Sequence, residues 1–191
     1  MVTGVLVIAL GMAALMWWVS GSDAPGSQAK PVKTLSATEL VEATTHTSLR
    51  GAPADPDPQA RTHGDIVRPK QVIAIHDRPA GSTIGKVGPD QIGETWLPVI
   101  NQQQGWTQVL LPSKPNGSTG WLRDAHLDHK RTPYLISVHL KSMKLKLFHE
   151  GRKTGEWTIG IGKPDTPTPT GRTFLLGSIV DPNQQYSPII L

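Results

Sequence analysis

Cysteine is absent from this chain of 191 residues, which excludes disulfides, thiolate metal sites and a cysteine nucleophile anywhere within it. Aromatic residues are sparse at 5%, with two Tyr, two Phe and six Trp. A formal net charge of +4 comes with no recognition motif and no stacking platform, so nothing points to nucleic acid. Long apolar runs are missing beyond Val19. A hydrophobic share of 37% beside 17 Pro and 19 Gly argues against a helical bundle and for short strands joined by turns. The length allows one medium or two small domains.

Val2 to Val19 carries no charge. As a helix it would span roughly 27 Å, close to a bilayer core. Trp17 and Trp18 sit where an interfacial aromatic belt would fall. Residues 1–20 are therefore expected to be a transmembrane anchor or a signal; no Lys or Arg precedes the run and no clean Ala-x-Ala site follows it. Residues 21–70 read as a polar linker with a short helix. Ser36-Ala-Thr-Glu39 is a capping box with Leu35 and Leu40 at the staple positions, which predicts a helix over Ala37 to Ala43. Leu49 to Gly64 sets Pro53, Pro56 and Pro58 among Asp55 and Asp57 with few apolar side chains, the composition of a linker.

From Gln71 the pattern changes to short strands with frequent turns, notably Val72–Ile75, Glu94–Ile100, Gly105–Leu111 and Thr119–Leu122. Turn signals at this spacing predict a small all-β barrel over residues 71–129. Alternation puts Trp106, Gln108 and Leu110 on one face of their strand and Thr107, Val109 and Leu111 on the other, without saying which face is inward. Trp96, Trp106 and Trp121 are expected in the core, with Trp121 plugging one end, rather than on a ligand platform. His126-Leu-Asp-His129 with Asp124 nearby invites a metal reading, but its spacing is not that of a strong zinc motif, and no metal site is assigned. Lys130-Arg-Thr-Pro133 reads as a hinge.

The net positive charge belongs to residues 130–191, which hold nine Lys and Arg against four Asp and Glu. Tyr134–Leu140, Met143–Phe148 and Glu156–Ile161 read as strands. Ile136, Val138 and Leu140 share a face with Met143, Leu145 and Leu147 across a tight turn, making an apolar face that needs covering. Pro164, Pro167 and Pro169 make residues 163–171 a stiff extended loop, and Thr173–Leu176 resumes as a strand. The apolar finish Ile189-Ile-Leu191 reads as a sheet interrupted before its partners, which predicts a fragment of a longer protein.

The order strand, Gly-turn hairpin, Gly162-Lys-Pro-Asp-Thr-Pro-Thr-Pro-Thr-Gly171 and strand resembles the opening of the L,D-transpeptidase catalytic domain, the YkuD family, over about the last third of the chain. Leu97-Pro-Val, Gly105-Trp-Thr-Gln-Val and Gly120-Trp-Leu-Arg resemble a bacterial SH3-like domain. The expected architecture is thus mainly β: an N-terminal membrane or signal helix, an SH3-like barrel over 71–129, and the truncated start of an L,D-transpeptidase domain over 133–191.

The resemblance implies an exported peptidoglycan L,D-transpeptidase that transfers stem-peptide acyl groups through a Cys thioester, with a neighbouring His and an oxyanion site. The family's His-Gly element and Ser-His-Gly-Cys motif do not follow residue 174, so no residue is assigned a catalytic role and none a substrate-binding role. His139 and His149 lie on or beside early strands and read as surface or packing residues. No cofactor is implied, since thiol acyl transfer needs none. The implied partners are peptidoglycan stem peptides, anionic wall polymers and, through residues 2–19, a membrane; the implied location is the bacterial cell envelope, anchored or secreted, with most of the chain extracytoplasmic. The competing expectation is a non-catalytic wall-binding envelope protein that uses the SH3-like barrel.

Overall fold

A computed structural model describes residues 39–180, Asn183 and Ile189–Ile190. The anchor or signal expected over 1–20 lies outside these residues. Among them, no helix is long and apolar enough to cross a membrane. The described residues are mainly β, with two antiparallel sheets and almost no helix.

The chain runs through β1 (Asp65–Pro69), β2 (Ile73–His76), β3 (Thr83–Val87), β4 (Asp90–Gln91), β5 (Gly93–Glu94), β6 (Leu97–Gln103), β7 (Trp106–Leu110) and β8 (Thr119–Arg123). A single 3₁₀ turn, Asp124–His126, leads into β9 (Leu127–Arg131). There follow β10 (Tyr134–His139), β11 (Lys144–His149), β12 (Arg152–Thr158), β13 (Ile179–Val180) and β14 (Ile189–Ile190). Seven strands form one sheet in the order β3-β2-β8-β7-β6-β1-β9, and β10-β11-β12 form a second. Two-stranded ribbons, β4-β5 and β13-β14, complete the pairing.

All seven strands of the large sheet send a side chain into one cluster: Val67, Ile75, Val87, Leu97, Val109, Leu122 and Leu127, none more than 3% exposed. With no helical layer among the described residues to cover them, the sheet hides these side chains by rolling around them. The inward face of β7 is therefore the one carrying Thr107 and Val109, continued by Leu111. The opposite face is buried as well, and there Trp106, Gln108 and Trp121 are each 6% exposed. Trp106 and Trp121 thus lie outside the core cluster, back to back with it, and Trp96 stays half-exposed. Gly120 sits where β8 passes closest to Ile75 and Leu111; a methyl group there would collide with the Ile75 Cγ2 and press on Leu111. Ile75 is β-branched and cannot turn away freely. Gly120→Ala is expected to lower stability by about 1–3 kcal/mol in urea unfolding, and an unchanged midpoint would show that the core is looser than this packing implies.

Several expected boundaries move. The sheet begins at β1, ahead of Gln71, because β1 pairs with both β6 and β9. Residues read as a hinge, Lys130 and Arg131, belong to β9 and lie opposite Ile66 and Asp65. Glu39–Ala43, the described part of the expected helix, is not helical. Glu42 bridges Lys86 in parallel, and the Ala43 amide donates to the Lys86 carbonyl at 2.9 Å. A helix this short cannot sustain itself, so pairing along β3 with Leu40 and Ala43 buried prevails over the capping signal.

The expected linker is likewise a strap laid on the rolled sheet. Leu49 is 6% exposed within the core cluster, Ala54 bridges Ser118, and both the amide and the hydroxyl of Thr119 donate to the Pro53 carbonyl. Prolines lack amide donors, but their carbonyls still accept, which is how this segment docks without a ladder of its own.

The second sheet follows the expected alternation. Ile136 faces Leu147 and Val138 faces Leu145, with Trp157 beside Leu145 on the same side. Glu150 and Gly151, at φ of 49° and 76°, form the tight turn before β12, the mirror-image geometry that suits twisted hairpins. The strand expected at Thr173–Leu176 does not form; this segment runs without a ladder and Phe174 packs against the core of the rolled sheet.

Candidate functional site

No residue of this chain was assigned a catalytic role from sequence, and the histidines show why their positions matter. His139 Nε2 lies 3.1 Å from Ser137 Oγ on the polar face of β10. The His149 ring lies 4.7 Å from that of Tyr134, its register partner, tilted by 36°. His63-Gly64 precedes β1, where the Gly64 carbonyl accepts from the Thr132 amide, a strand-end contact. His139 thus stands beside a hydroxyl exposed on the sheet surface, and the chain supplies no thiol for any of these imidazoles to activate.

The Asp124, His126 and His129 constellation comes apart in the structure. Asp124 Oδ1 accepts from the Thr107 hydroxyl and stands 3.4 Å from His129 Nε2. His126 instead borders a different groove, with Arg123. Among the described residues, no group of three or more His, Cys, Asp or Glu could hold a metal ion.

Two arrangements remain that sequence reading did not single out. The first is the ion pair between Asp55 of the strap and Arg172 at the end of the proline-rich loop, two hydrogen bonds of 2.6 Å each. The Asp55 side chain is 1% exposed and that of Arg172 12%. The hydrogen bond from Arg172 holds the Asp55 carboxyl below its usual value, helped by the Asp57 amide and opposed by burial; the same contact raises Arg172. The Arg172 amide also donates to the Pro58 carbonyl at 2.8 Å. This clamp seats residues 172–176 against the rolled sheet, leaving a cleft of about 180 Å³ that Leu110, Ser113, Lys114 and Phe174 border.

The second is a groove of about 270 Å³ on the outer side of β2 and β8. Residues 71–74 form one wall, and His76, Arg123 and His126 the rest. Pairing of His76 with Trp121, and of Trp106 with Arg123, turns these side chains to the same side of the sheet. Arg123 lies 4.3 Å over the Trp106 ring, which His76 meets edge-on at 5.0 Å.

Beyond the rolled sheet, β10–β12 carry a basic polar face and an apolar one. Lys144, Lys146 and Glu156 share the first; Ile136, Val138 and Trp157 share the second and are 42%, 47% and 51% exposed. No family model matches the chain, and no significant match to it is found among the curated proteins or the solved structures.

Proposed function

We propose that this chain is part of an exported peptidoglycan L,D-transpeptidase whose catalytic thiol lies outside the 191 residues. The observation that carries the reading is the bare apolar face of β10–β12: Ile136, Val138 and Trp157 stand in the residues that bear the family resemblance, and a sheet face of this kind is completed by another layer. In the family reading that layer brings the His and Cys, and the proline-rich loop 163–171, seated by Asp55 and Arg172, borders the place where they act. The rolled sheet takes the part of the SH3-like module, holding wall material while the thiolate attacks a stem-peptide carbonyl and an amine resolves the thioester.

The rolled sheet also supports a second reading, a wall-binding envelope protein without catalysis, because its core is closed with no help from β10–β12. One experiment separates the two. Protein purified from its host should exceed 20.6 kDa and transfer a tetrapeptide stem to an amine acceptor, with iodoacetamide abolishing the transfer. A 20.6 kDa product that is inert in this assay yet pellets with purified sacculi would replace the enzyme reading with the binding one.

A further inference from the structure

Among the described residues two cations of the rolled sheet lie over an indole, Lys130 over Trp96 at 4.5 Å and Arg123 over Trp106, and of these Arg123 borders a groove. Its guanidinium is stacked on Trp106, and it makes no hydrogen bond or ion pair to another described residue. Stacking of this kind fixes the plane of a guanidinium while leaving its N–H donors free along the edge, the geometry that meets a carboxylate with two parallel hydrogen bonds. Trp106 is itself 6% exposed, so the platform under Arg123 is anchored rather than mobile.

The surroundings favour the same ligand. His76 donates from Nδ1 to the Gly81 carbonyl at 3.0 Å, which sets the ring and leaves Nε2 without a partner among the described residues. The acidic neighbour in sequence, Asp124, is turned away to Thr107 and His129. Asp77 accepts from Arg78 through Oδ2 at 3.1 Å, its Oδ1 is buried without a partner among the described residues, and it does not line the groove. The groove is therefore bordered by one fixed guanidinium and two imidazoles, with no carboxylate among its lining residues. Its other wall runs from the polar Gln71 through Val72, 56% exposed, and Ile73 to Ala74, so three of its four side chains are aliphatic. A volume of about 270 Å³ lies below the range of sites that enclose whole drug-sized molecules, so it suits the end of a chain.

We infer that this groove binds the free carboxyl end of a short peptide of small aliphatic residues, with the carboxylate on Arg123 and the methyl side chains on Val72 and Ala74. The assignment concerns the rolled sheet alone and stands whether or not a transferase nucleophile completes the protein. A nucleic-acid strand is a poor fit, because the groove offers one arginine and no run of cations along which a phosphate backbone could lie.

The test is a titration of the full chain, held in mild detergent on account of residues 2–19. Acetyl-alanyl-alanine is added as the free acid, as its C-terminal amide and against inorganic phosphate, and the indole N–H resonance of Trp106 is followed. The free acid should shift that resonance saturably, and the amide should bind at least tenfold more weakly. Arg123→Gln should abolish binding. Arg123→Lys, which keeps the charge but loses the fork and the flat stack, should weaken it at least fivefold, while Arg152→Gln on exposed β12 should leave it unchanged. Equal binding of acid and amide, or an Arg123→Gln protein of unchanged spectrum that binds as before, overturns the proposal. Competition by phosphate at concentrations equal to the peptide's overturns it too, because the groove would then be a general anion patch. Acyl transfer is read by a separate assay, so failure here leaves the enzyme reading standing and the reverse.

Discussion

Arg172→Ala is expected to destabilise the protein by about 3–5 kcal/mol, the range for removing one partner of a buried pair. The size comes from what is left behind: a carboxylate at Asp55 with 1% of its side chain exposed, keeping only the Asp57 amide as a donor at 3.0 Å. The reciprocal change should cost less. Asp55→Asn retains an acceptor for that amide, and the abandoned guanidinium, already 12% exposed, can turn to water; about 1–3 kcal/mol is expected. Replacing both together, Asp55→Leu with Arg172→Met, should recover most of the loss, since apolar pairs of similar volume often substitute for buried ion pairs. Urea midpoints read all three, and proteolysis within residues 163–178 should accelerate in the single variants. Equal costs for the two single changes would refute the claim that Asp55 is the more deeply committed partner.

The same pair makes a stated contribution to acid sensitivity. Because the Asp55 carboxyl is held below its unfolded value of about 3.9, its stabilisation is complete above that pH and fades as the pH falls through the folded value. Wild type should therefore lose stability on acidification below about pH 4 by more than Asp55→Asn does. Parallel loss in the two proteins between pH 7 and pH 3 would assign the acid sensitivity to other groups.

Leu122→Ala is expected to cost about 3 kcal/mol, within the range of 2–5 for a leucine deleted from a closed core. Leu122 is fully buried on β8, among side chains from every strand of the rolled sheet, so few neighbours can move in to fill the space. For a protein of this size such a loss lowers Tm by about 6–12 °C. Leu145→Ala on half-exposed β11 should cost under about 1 kcal/mol, because water already reaches that face and no sealed cavity forms. If the two substitutions lower Tm equally, β10–β12 are sealed in a way their exposure does not show.

What could be read from sequence was whatever depends on period and turn chemistry alone. Tyr134–His139 and Lys144–His149 emerged within a residue or two because apolar and polar side chains alternate cleanly. Trp106–Leu110 defeated the same logic, since both its faces are buried and alternation then carries no direction. The strap was misread because Pro and Asp between Leu49 and Gly64 look like solvated chain; its stability rests on carbonyls accepting from Thr119 and on Asp55 meeting a partner 117 residues away. The capping box at Ser36 promised a helix whose described residues are instead held by a single bridge to β3. Thr173–Leu176 looked like a strand by propensity and was used as a packing segment through Phe174. The groove at Arg123 was invisible for a related reason: the Arg123–Trp106 stack exists only once β7 and β8 are in register.

The Asp55–Arg172 clamp also imposes an order on biosynthesis. Every strand of the rolled sheet has been made once residue 131 is in place, yet the strap's acidic side chain must wait for residue 172, some seconds later at ribosomal speeds of roughly 5–20 residues per second. Until then the strap carries a carboxylate without its guanidinium partner, and its full docking is withheld until the proline-rich segment has arrived.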